Sequence, residues 1–263
     1  MHPTDRSHAH PTKGPIPKER LDSLLVDKGL APSRQKAQAM IMAGEVEVDG
    51  VKVTKPGQRV PVASLIRVAS PRISYVSRGG LKLEAALDHF GIHVEGLVVL
   101  DVGASTGGFT HCLLERGAAR VIALDVGHGQ LHQRLRQDPR VTVMERCNVR
   151  HLAPEDLDQR PDMATIDVSF ISLRIVLPAV ARLVGTTTGR GILALVKPQF
   201  EVGRKEVGRR GVVTDPCLHA RVLQEVSMTG EALGFSPSTP FACPILGPKG
   251  NREFFIWFRK TES

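Results

Sequence analysis

Residues 98 to 109 read Val98-Val99-Leu100-Asp101-Val102-Gly103-Ala104-Ser105-Thr106-Gly107-Gly108-Phe109. An apolar run enters a glycine-rich turn, and a helical pattern, Gly108 to Arg116, leaves it. In an open α/β sheet, a glycine-rich turn between the first strand and its helix is where a nucleotide-like ligand sits. The spacing here is Asp-x-Gly-x-x-x-Gly-Gly. That differs from the dinucleotide pattern Gly-x-Gly-x-x-Gly, and no lysine stands where a phosphate-binding loop needs one. A carboxylate at the strand end repels a pyrophosphate. It attracts the ammonium and sulfonium charges of S-adenosyl-L-methionine.

Outward from this turn, short apolar runs alternate with helical patterns. The expected strands are Val98–Val102, Val121–Asp125, Val141–Glu145, Ala164–Val168, Ile192–Lys197, Pro240–Leu246 and Phe254–Phe258. Helices are expected at Gly80–Phe90, Gly108–Arg116, Leu173–Leu183 and Leu218–Leu233. Alternation at this period predicts a doubly wound, mostly parallel sheet of the Rossmann-like, class I methyltransferase type. Only a loop separates the last two of the seven strands, so they are expected to pair antiparallel at one edge. The residues expected to line the cofactor site are Asp101, Gly103, Ser105, Thr106, Gly107, Gly108 and Phe109. Asp125 ends the second strand, placed to accept from ribose hydroxyls. Asn148 follows the third, where it could face adenine, and Asp167 ends the fourth.

The atom that receives the methyl group is narrowed by absences. The fourth strand ends Ile166-Asp167-Val168-Ser169-Phe170, without the proline-rich turn expected of an amino-group methyltransferase. Cys217 opens a helix and reads as packing rather than as the nucleophile of a cytosine C5 enzyme. Four ionisable residues remain: Lys82 on the helix before the first strand, Asp167, Lys197 ending the fifth strand, and Glu253 opening the last. They converge at one end of the sheet only if the last strand is antiparallel. Such a set suits a ribose 2′-hydroxyl, a poor nucleophile that needs a base. Lys197 is expected to be that base and Lys82 a second cation, with Asp167 orienting Lys197 and Glu253 balancing charge.

The whole second domain resembles the FtsJ-like ribose 2′-O-methyltransferases. The resemblance rests on Ser77-Arg78-Gly79-Gly80-Leu81-Lys82-Leu83, the 101–110 turn, Asp167-Val168-Ser169-Phe170-Ile171-Ser172-Leu173 and Leu195-Val196-Lys197-Pro198-Gln199-Phe200-Glu201-Val202-Gly203. That family's Lys-Asp-Lys-Glu tetrad is matched by Lys82, Asp167, Lys197 and Glu253.

Upstream, Leu21, Leu24 and Leu25 share a helical face. Ser33 can cap a second helix, Arg34–Ala43, and an Asp49-Gly50 pair between alternating runs signals a hairpin. Leu65–Val68 closes the unit. This stretch resembles the S4 RNA-binding domain through Arg20-Leu21-Asp22, Ser33-Arg34-Gln35-Lys36-Ala37, Ile41, Gly44, Val46, Val48, Gly50 and Lys55-Pro56-Gly57. The resemblance implies RNA contacts from Arg20, Arg34, Lys36, Lys52 and Lys55. Arg78 and the basic segment Arg204, Lys205, Arg209 and Arg210 are further candidates for RNA contact. The order along the chain is a tail at residues 1–17, an S4 domain at 18–70, a linker at 71–78 and a methyltransferase domain at 79–263. S4 plus methyltransferase resembles the TlyA family, often labelled hemolysin A, which implies 2′-O-methylation of cytidine in ribosomal RNA of one or both subunits.

Composition fits this. Of 263 residues, 41% are hydrophobic and 24% charged, the balance of a globular protein, and the net charge of +8 favours a polyanionic partner. Aromatic residues are only 4%, so stacking on many rings is not the main binding mode. The longest uncharged stretch, Ala232 to Pro248, carries four prolines, which argues against a membrane span. No secretory signal is read at the N-terminus. Cys112, Cys147, Cys217 and Cys243 are scattered, without zinc or disulfide spacing, and imply a cytoplasmic protein with no metal. Two rival readings are a non-catalytic ribosome-binding factor and a lytic protein. A pseudouridine synthase is rejected, because Arg20-Leu21-Asp22, the sole candidate for its catalytic motif, lies inside the S4 module.

Overall fold

The structure, a computed structural model, describes residues 17–42, 44–68, 75–185, 190–203, 206–208 and 211–260. The expected tail lies outside the described residues except for Pro17. The chain divides into two compact units, Met1–Ser74 and Tyr75–Ser263.

In the first unit, β1 (Lys18–Arg20) runs into α1 (Leu21–Asp27). Then come α2 (Arg34–Met42), β2 (Val46–Val48), β3 (Val51–Lys52), β4 (Arg59–Pro61) and β5 (Ile66–Val68). The hairpin is where Asp49-Gly50 places it. Both residues take positive φ (52° and 83°), the turn geometry that matches the twist of paired strands. β2 also pairs with β5, and Val46 and Val48 meet Leu21, Leu25, Ala37 and Ile41 in one small core. The antiparallel pair β1–β4 was not expected, because an exposed Lys-Glu-Arg carries no apolar alternation.

Asp22 is fully buried in this unit, under polar side chains. Its carboxylate accepts from Arg20 Nε (3.0 Å) and Nη2 (2.9 Å), Arg34 Nε (3.1 Å) and Gln38 Nε2 (2.9 Å). The Arg20 bond foremost, with Gln38 and Arg34 adding, holds its carboxyl well below the usual range. A depressed acid contributes stability above its unfolded value and loses it as pH falls below that value. Asp22→Asn is therefore expected to lower the melting temperature near neutral pH. The difference from the parent should close on acidification, as circular dichroism of the first unit can check.

The second unit opens with α3 (Arg78–Phe90), followed by β6 (Val98–Val102), α4 (Gly108–Glu115), β7 (Arg120–Leu124), α5 (Gln133–Arg136), β8 (Val141–Met144) and β9 (Met163–Ile166). It continues through α6 (Leu173–Leu183), β10 (Gly191–Val196), α7 (Pro198–Glu201), α8 (Pro216–Ala232), β11 (Phe235–Pro237), β12 (Phe241–Ala242) and β13 (Phe254–Lys260). The strands form one sheet in the order β11-β13-β10-β9-β6-β7-β8, with β12 also on β13. β10, β9, β6, β7 and β8 are parallel, and β13 is antiparallel to its neighbours. Strands buried on both faces read as continuous apolar runs, as Gly191–Val196 does. Leu100, Ile166, Ala194 and Phe258 face α6 and α8, while Val99, Leu193 and Phe255 face α3 and α4.

The class is the one expected, with eight strands instead of seven. The expected strand Pro240–Leu246 shrinks to Phe241–Ala242, because Pro240 and Pro244 cannot donate to a ladder. The short β11, which ends at Pro237, went unread. β13 is not an edge strand; it lies between β10 on one side and β11 and β12 on the other. Of the expected linker, residues 71–74 lie outside the described residues, while Tyr75 belongs to the second unit's core. Its ring occupies the space a side chain at Gly80 would need, and its hydroxyl donates to Glu84 (2.9 Å). Ser77 stands at the N-cap position of α3, which starts two residues before the expected Gly80.

Candidate active site

Parallel strands β6, β7, β9 and β10 deliver their C-terminal ends to one edge of the sheet, and antiparallel β13 brings its start to the same edge. A cleft of two adjoining lobes lies there. Gly103, Ser105, Asp167 and Ser169 line both lobes.

One lobe, about 460 Å³, is mainly apolar, with Val126, Ile171 and Val176 in its wall and Asp125, Gln130 and Asn148 adding polar groups to the shared ones. The other, about 300 Å³, is polar and holds Arg78, Lys82, Asp167, Lys197 and Glu253. Gly103 makes the junction possible. Its φ is +84°, and a Cβ there would lie 2.6 Å from the Asp167 carbonyl oxygen. Only glycine lets the turn after β6 pass so close to the end of β9.

Asp125 accepts from the backbone N–H of Ser105 (2.8 Å) and of Gly127 (2.7 Å), which ties the glycine-rich turn to the segment after β7. Asn148 accepts from Arg150 N (3.1 Å) and caps a short turn. Thr106, Gly108 and Phe109 line the polar lobe. Gly107 does not; it starts α4 and packs against Leu131 and Leu135.

Asp101 is the clearest departure from expectation. It lines neither lobe and is fully buried, its oxygens taken by Thr110 Oγ1 (2.6 Å) and Thr165 Oγ1 (3.0 Å). Strand alternation explains this: Val102 faces α6, so Asp101 faces α4. Its partners therefore lie behind the turn, and direct contact with a ligand's ammonium or sulfonium is not what the geometry offers. Burial pushes its carboxyl up to about 6, against the pull of the two hydroxyls. Between 3.8 and about 6 the folded chain keeps a proton that the unfolded chain has lost, so stability falls as pH rises through that window. Asp101→Asn should remove this slope, roughly 3 kcal/mol in all, measurable as denaturant midpoints on either side of it.

The four ionisable residues come together as two ion pairs. Lys82 Nζ meets Glu253 Oε2 at 2.6 Å, with Glu253 fully buried. Lys197 Nζ meets Asp167 Oδ1 at 2.7 Å and donates to Ser169 Oγ at 2.9 Å. Glu253 Oε1 has no hydrogen-bond partner among the described residues. Gly247 stands beside it, where a Cβ would overlap that oxygen.

Two features at this edge went unread. Phe170 is 89% exposed and has φ +64°, with its ring centroid 4.9 Å from that of Phe200. A non-glycine residue in the left-handed region is costly, and such strain clusters at active sites and ligand clamps. A lone aromatic in a turn leaves no periodic signal. Glu201 is the second: it accepts from Leu173 N (2.7 Å) and Ser172 Oγ, clamping the segment after β10 to the start of α6. Burial raises its carboxyl above the usual range.

In the first unit Lys36, Lys52 and Lys55 are exposed, while Arg20 and Arg34 share Asp22 and remain about half exposed. Arg204, Lys205, Arg209 and Arg210 lie outside the described residues. Among the described residues the four cysteines are free, no cluster could hold a metal ion, and no helix is long and apolar enough to cross a membrane.

Comparison with known proteins places the chain in a family. The FtsJ-like methyltransferase profile matches residues 75–260 and the S4 domain profile residues 19–66. The 16S/23S rRNA (cytidine-2′-O)-methyltransferase TlyA of Mycobacterium tuberculosis is 50% identical, covering 91% of this chain and 89% of its own. Hemolysin A of Brachyspira hyodysenteriae is 41% identical, covering 91% and 99%. A solved structure of a hemolysin-named protein from Streptococcus thermophilus superposes with a TM-score of 0.69 at 43% identity, covering 95% and 90%. The chain belongs to the FtsJ-like methyltransferases, in the group that carries an S4 domain ahead of the methyltransferase domain and includes TlyA.

Proposed function

We propose that this protein methylates the 2′-hydroxyl of cytidine in ribosomal RNA, of the small subunit, the large subunit or both, in the cytoplasm. The observation that carries the reading is the meeting of two lysine–carboxylate pairs in the polar lobe, next to an apolar lobe of the right character for adenosine.

S-Adenosyl-L-methionine, when bound, supplies an electrophilic methyl group. The residues of the cleft fit it. Val126, Ile171 and Val176 offer apolar contact for adenine, beside Asn148. Asp125 keeps acceptor capacity for ribose hydroxyls beyond its two backbone partners. The orphaned Glu253 oxygen awaits a donor from the ligands.

Lys197 takes the proton of the 2′-hydroxyl, and Asp167 holds that lysine at the junction of the lobes. Lys82 places a second cation near the developing oxyanion, its own charge balanced by Glu253. Alignment of the reacting atoms supplies the remainder of the rate. Phe170, at the rim, offers a stacking face for the target base, and exposed Arg78 a phosphate contact. Lys36, Lys52 and Lys55, with Arg20, Arg34 and the basic residues Arg204, Lys205, Arg209 and Arg210, hold the RNA by its phosphates.

The test is methyl transfer from labelled S-adenosyl-L-methionine to purified small and large ribosomal subunits, with the modified nucleoside identified. Label in 2′-O-methylcytidine is expected. Label on a base, or none despite measurable cofactor binding, would overturn the reading.

A further inference from the structure

Lys197 is held by an ion pair to one residue and a hydrogen bond to another. Its Nζ lies 2.7 Å from Asp167 Oδ1 and donates to Ser169 Oγ at 2.9 Å. The side chain is only 11% exposed, and Ser169 lines both lobes of the cleft. Ser169 is fixed from both sides. β9 ends at Ile166, two residues (Asp167 and Val168) short of Ser169, and the clamp of Glu201 on Ser172 and Leu173 follows. The left-handed conformation of Phe170 turns the chain between them.

A neutral amine has two N–H bonds and one lone pair, at roughly tetrahedral directions. A base works only if the lone pair faces the proton it takes. With Asp167 alone as partner, rotation about the Cε–Nζ bond would leave the lone pair free to turn away. With Ser169 taking one N–H, and the negative Asp167 oxygen repelling the lone pair from its own direction, the remaining direction is the lone pair's. We infer that Ser169 is a positioning residue for methyl transfer: by accepting an N–H of Lys197 it aims the lysine lone pair at the 2′-hydroxyl.

This rests on the assignment of Lys197 as the base. In the step served, the O–H bond breaks and its proton goes to Nζ. The oxygen's electron pair forms the new O–CH3 bond, and the C–S bond breaks with its electrons passing to sulfur. The lysine returns its proton to solvent before the next turnover. Ser169 neither gains nor loses a proton; it keeps its acceptor oxygen towards Nζ throughout. The other carboxylate in the lobe, Glu253, is engaged with Lys82 and does not compete for this role.

The experiment compares Ser169→Ala, Ser169→Thr and Lys197→Ala in the full chain. With ribosomal subunits as substrate, Ser169→Ala is expected to lower kcat about tenfold, the equivalent of one hydrogen bond to a charged group, with KM for the subunit and cofactor affinity unchanged. Ser169→Thr, which restores an acceptor oxygen, should recover most of the loss. A second readout needs no cofactor. In the free protein labelled with 15N-lysine, the Lys197 ammonium signal, identified by its loss in Lys197→Ala, should exchange with water about tenfold faster in Ser169→Ala.

A silent Ser169→Ala beside an inactive Lys197→Ala would overturn this inference and leave the base assignment standing. So would a Ser169→Ala whose loss lay in cofactor affinity. Retained turnover in Lys197→Ala would bring down the base assignment and this inference with it.

Discussion

Lys197→Ala is expected to lower methyl transfer by about 10²–10⁴-fold, the range that general-base catalysis supplies, while leaving cofactor affinity nearly intact. The cofactor contacts proposed above lie mostly in the other lobe, so ground-state binding should survive. The fold should survive too. Asp167 loses its cation, but its side chain is 23% exposed and water can take the place of the ammonium. Isothermal calorimetry with S-adenosyl-L-methionine and single-turnover methyl transfer would separate binding from chemistry. Turnover at the parent rate would remove Lys197 from the proton's path.

Lys82→Ala should behave differently, because its partner has no access to water. Glu253 is fully buried, and its Oε2 lies 2.6 Å from Lys82 Nζ. Removing one member of a buried pair strands the other, at a cost of about 3–5 kcal/mol. That is a large share of the stability of an ordinary domain. The denaturant midpoint of the second unit should fall sharply, and methyl transfer should be lost with it. The double variant Lys82→Met/Glu253→Leu separates the two effects. An apolar pair of similar volume often matches or exceeds a buried ion pair in stability. The double variant is therefore expected to recover most of the midpoint and none of the activity. If it remained active, the pair would be structural; if Lys82→Ala kept the parent midpoint, Glu253 would be reached by solvent.

The contrast between the two lysines is a contrast of surroundings. Lys197 sits with a partly exposed carboxylate and a hydroxyl, the surroundings the proposed proton transfer needs. Lys82 is locked to a carboxylate that touches no water, where a fixed charge suits better than a moving one. The two lysines are about equally buried; what differs is the partner, fully buried Glu253 for Lys82 and partly exposed Asp167 for Lys197.

Much of this was legible from the chain. Strands buried on both faces are written as continuous apolar runs, so their ends could be counted and the site placed at those ends. Glu253 was assigned to the same edge as Asp167 and Lys197 because a short loop before the last strand requires an antiparallel return. The hairpin at Asp49-Gly50 follows from local turn chemistry. What failed was information of another kind. β11 and the pair β1–β4 are three-residue strands whose pairing depends on distant partners, not on their own pattern. The linker reading, 71–78, ran past Tyr75, whose ring fills the gap over Gly80 only once the chain is folded.

The sequence by itself determined the main strands and helices, the two units, and which charged side chains stand at the C-terminal edge of the sheet, because period and turn residues are local properties. Only the tertiary structure decided who pairs with whom. Asp101 turns to Thr110 and Thr165 rather than to the cleft, Lys82 takes Glu253, and Lys197 takes Asp167 and Ser169. Those choices depend on strand register, on burial and on distances of a few ångströms between segments far apart in the chain. No local pattern encodes them.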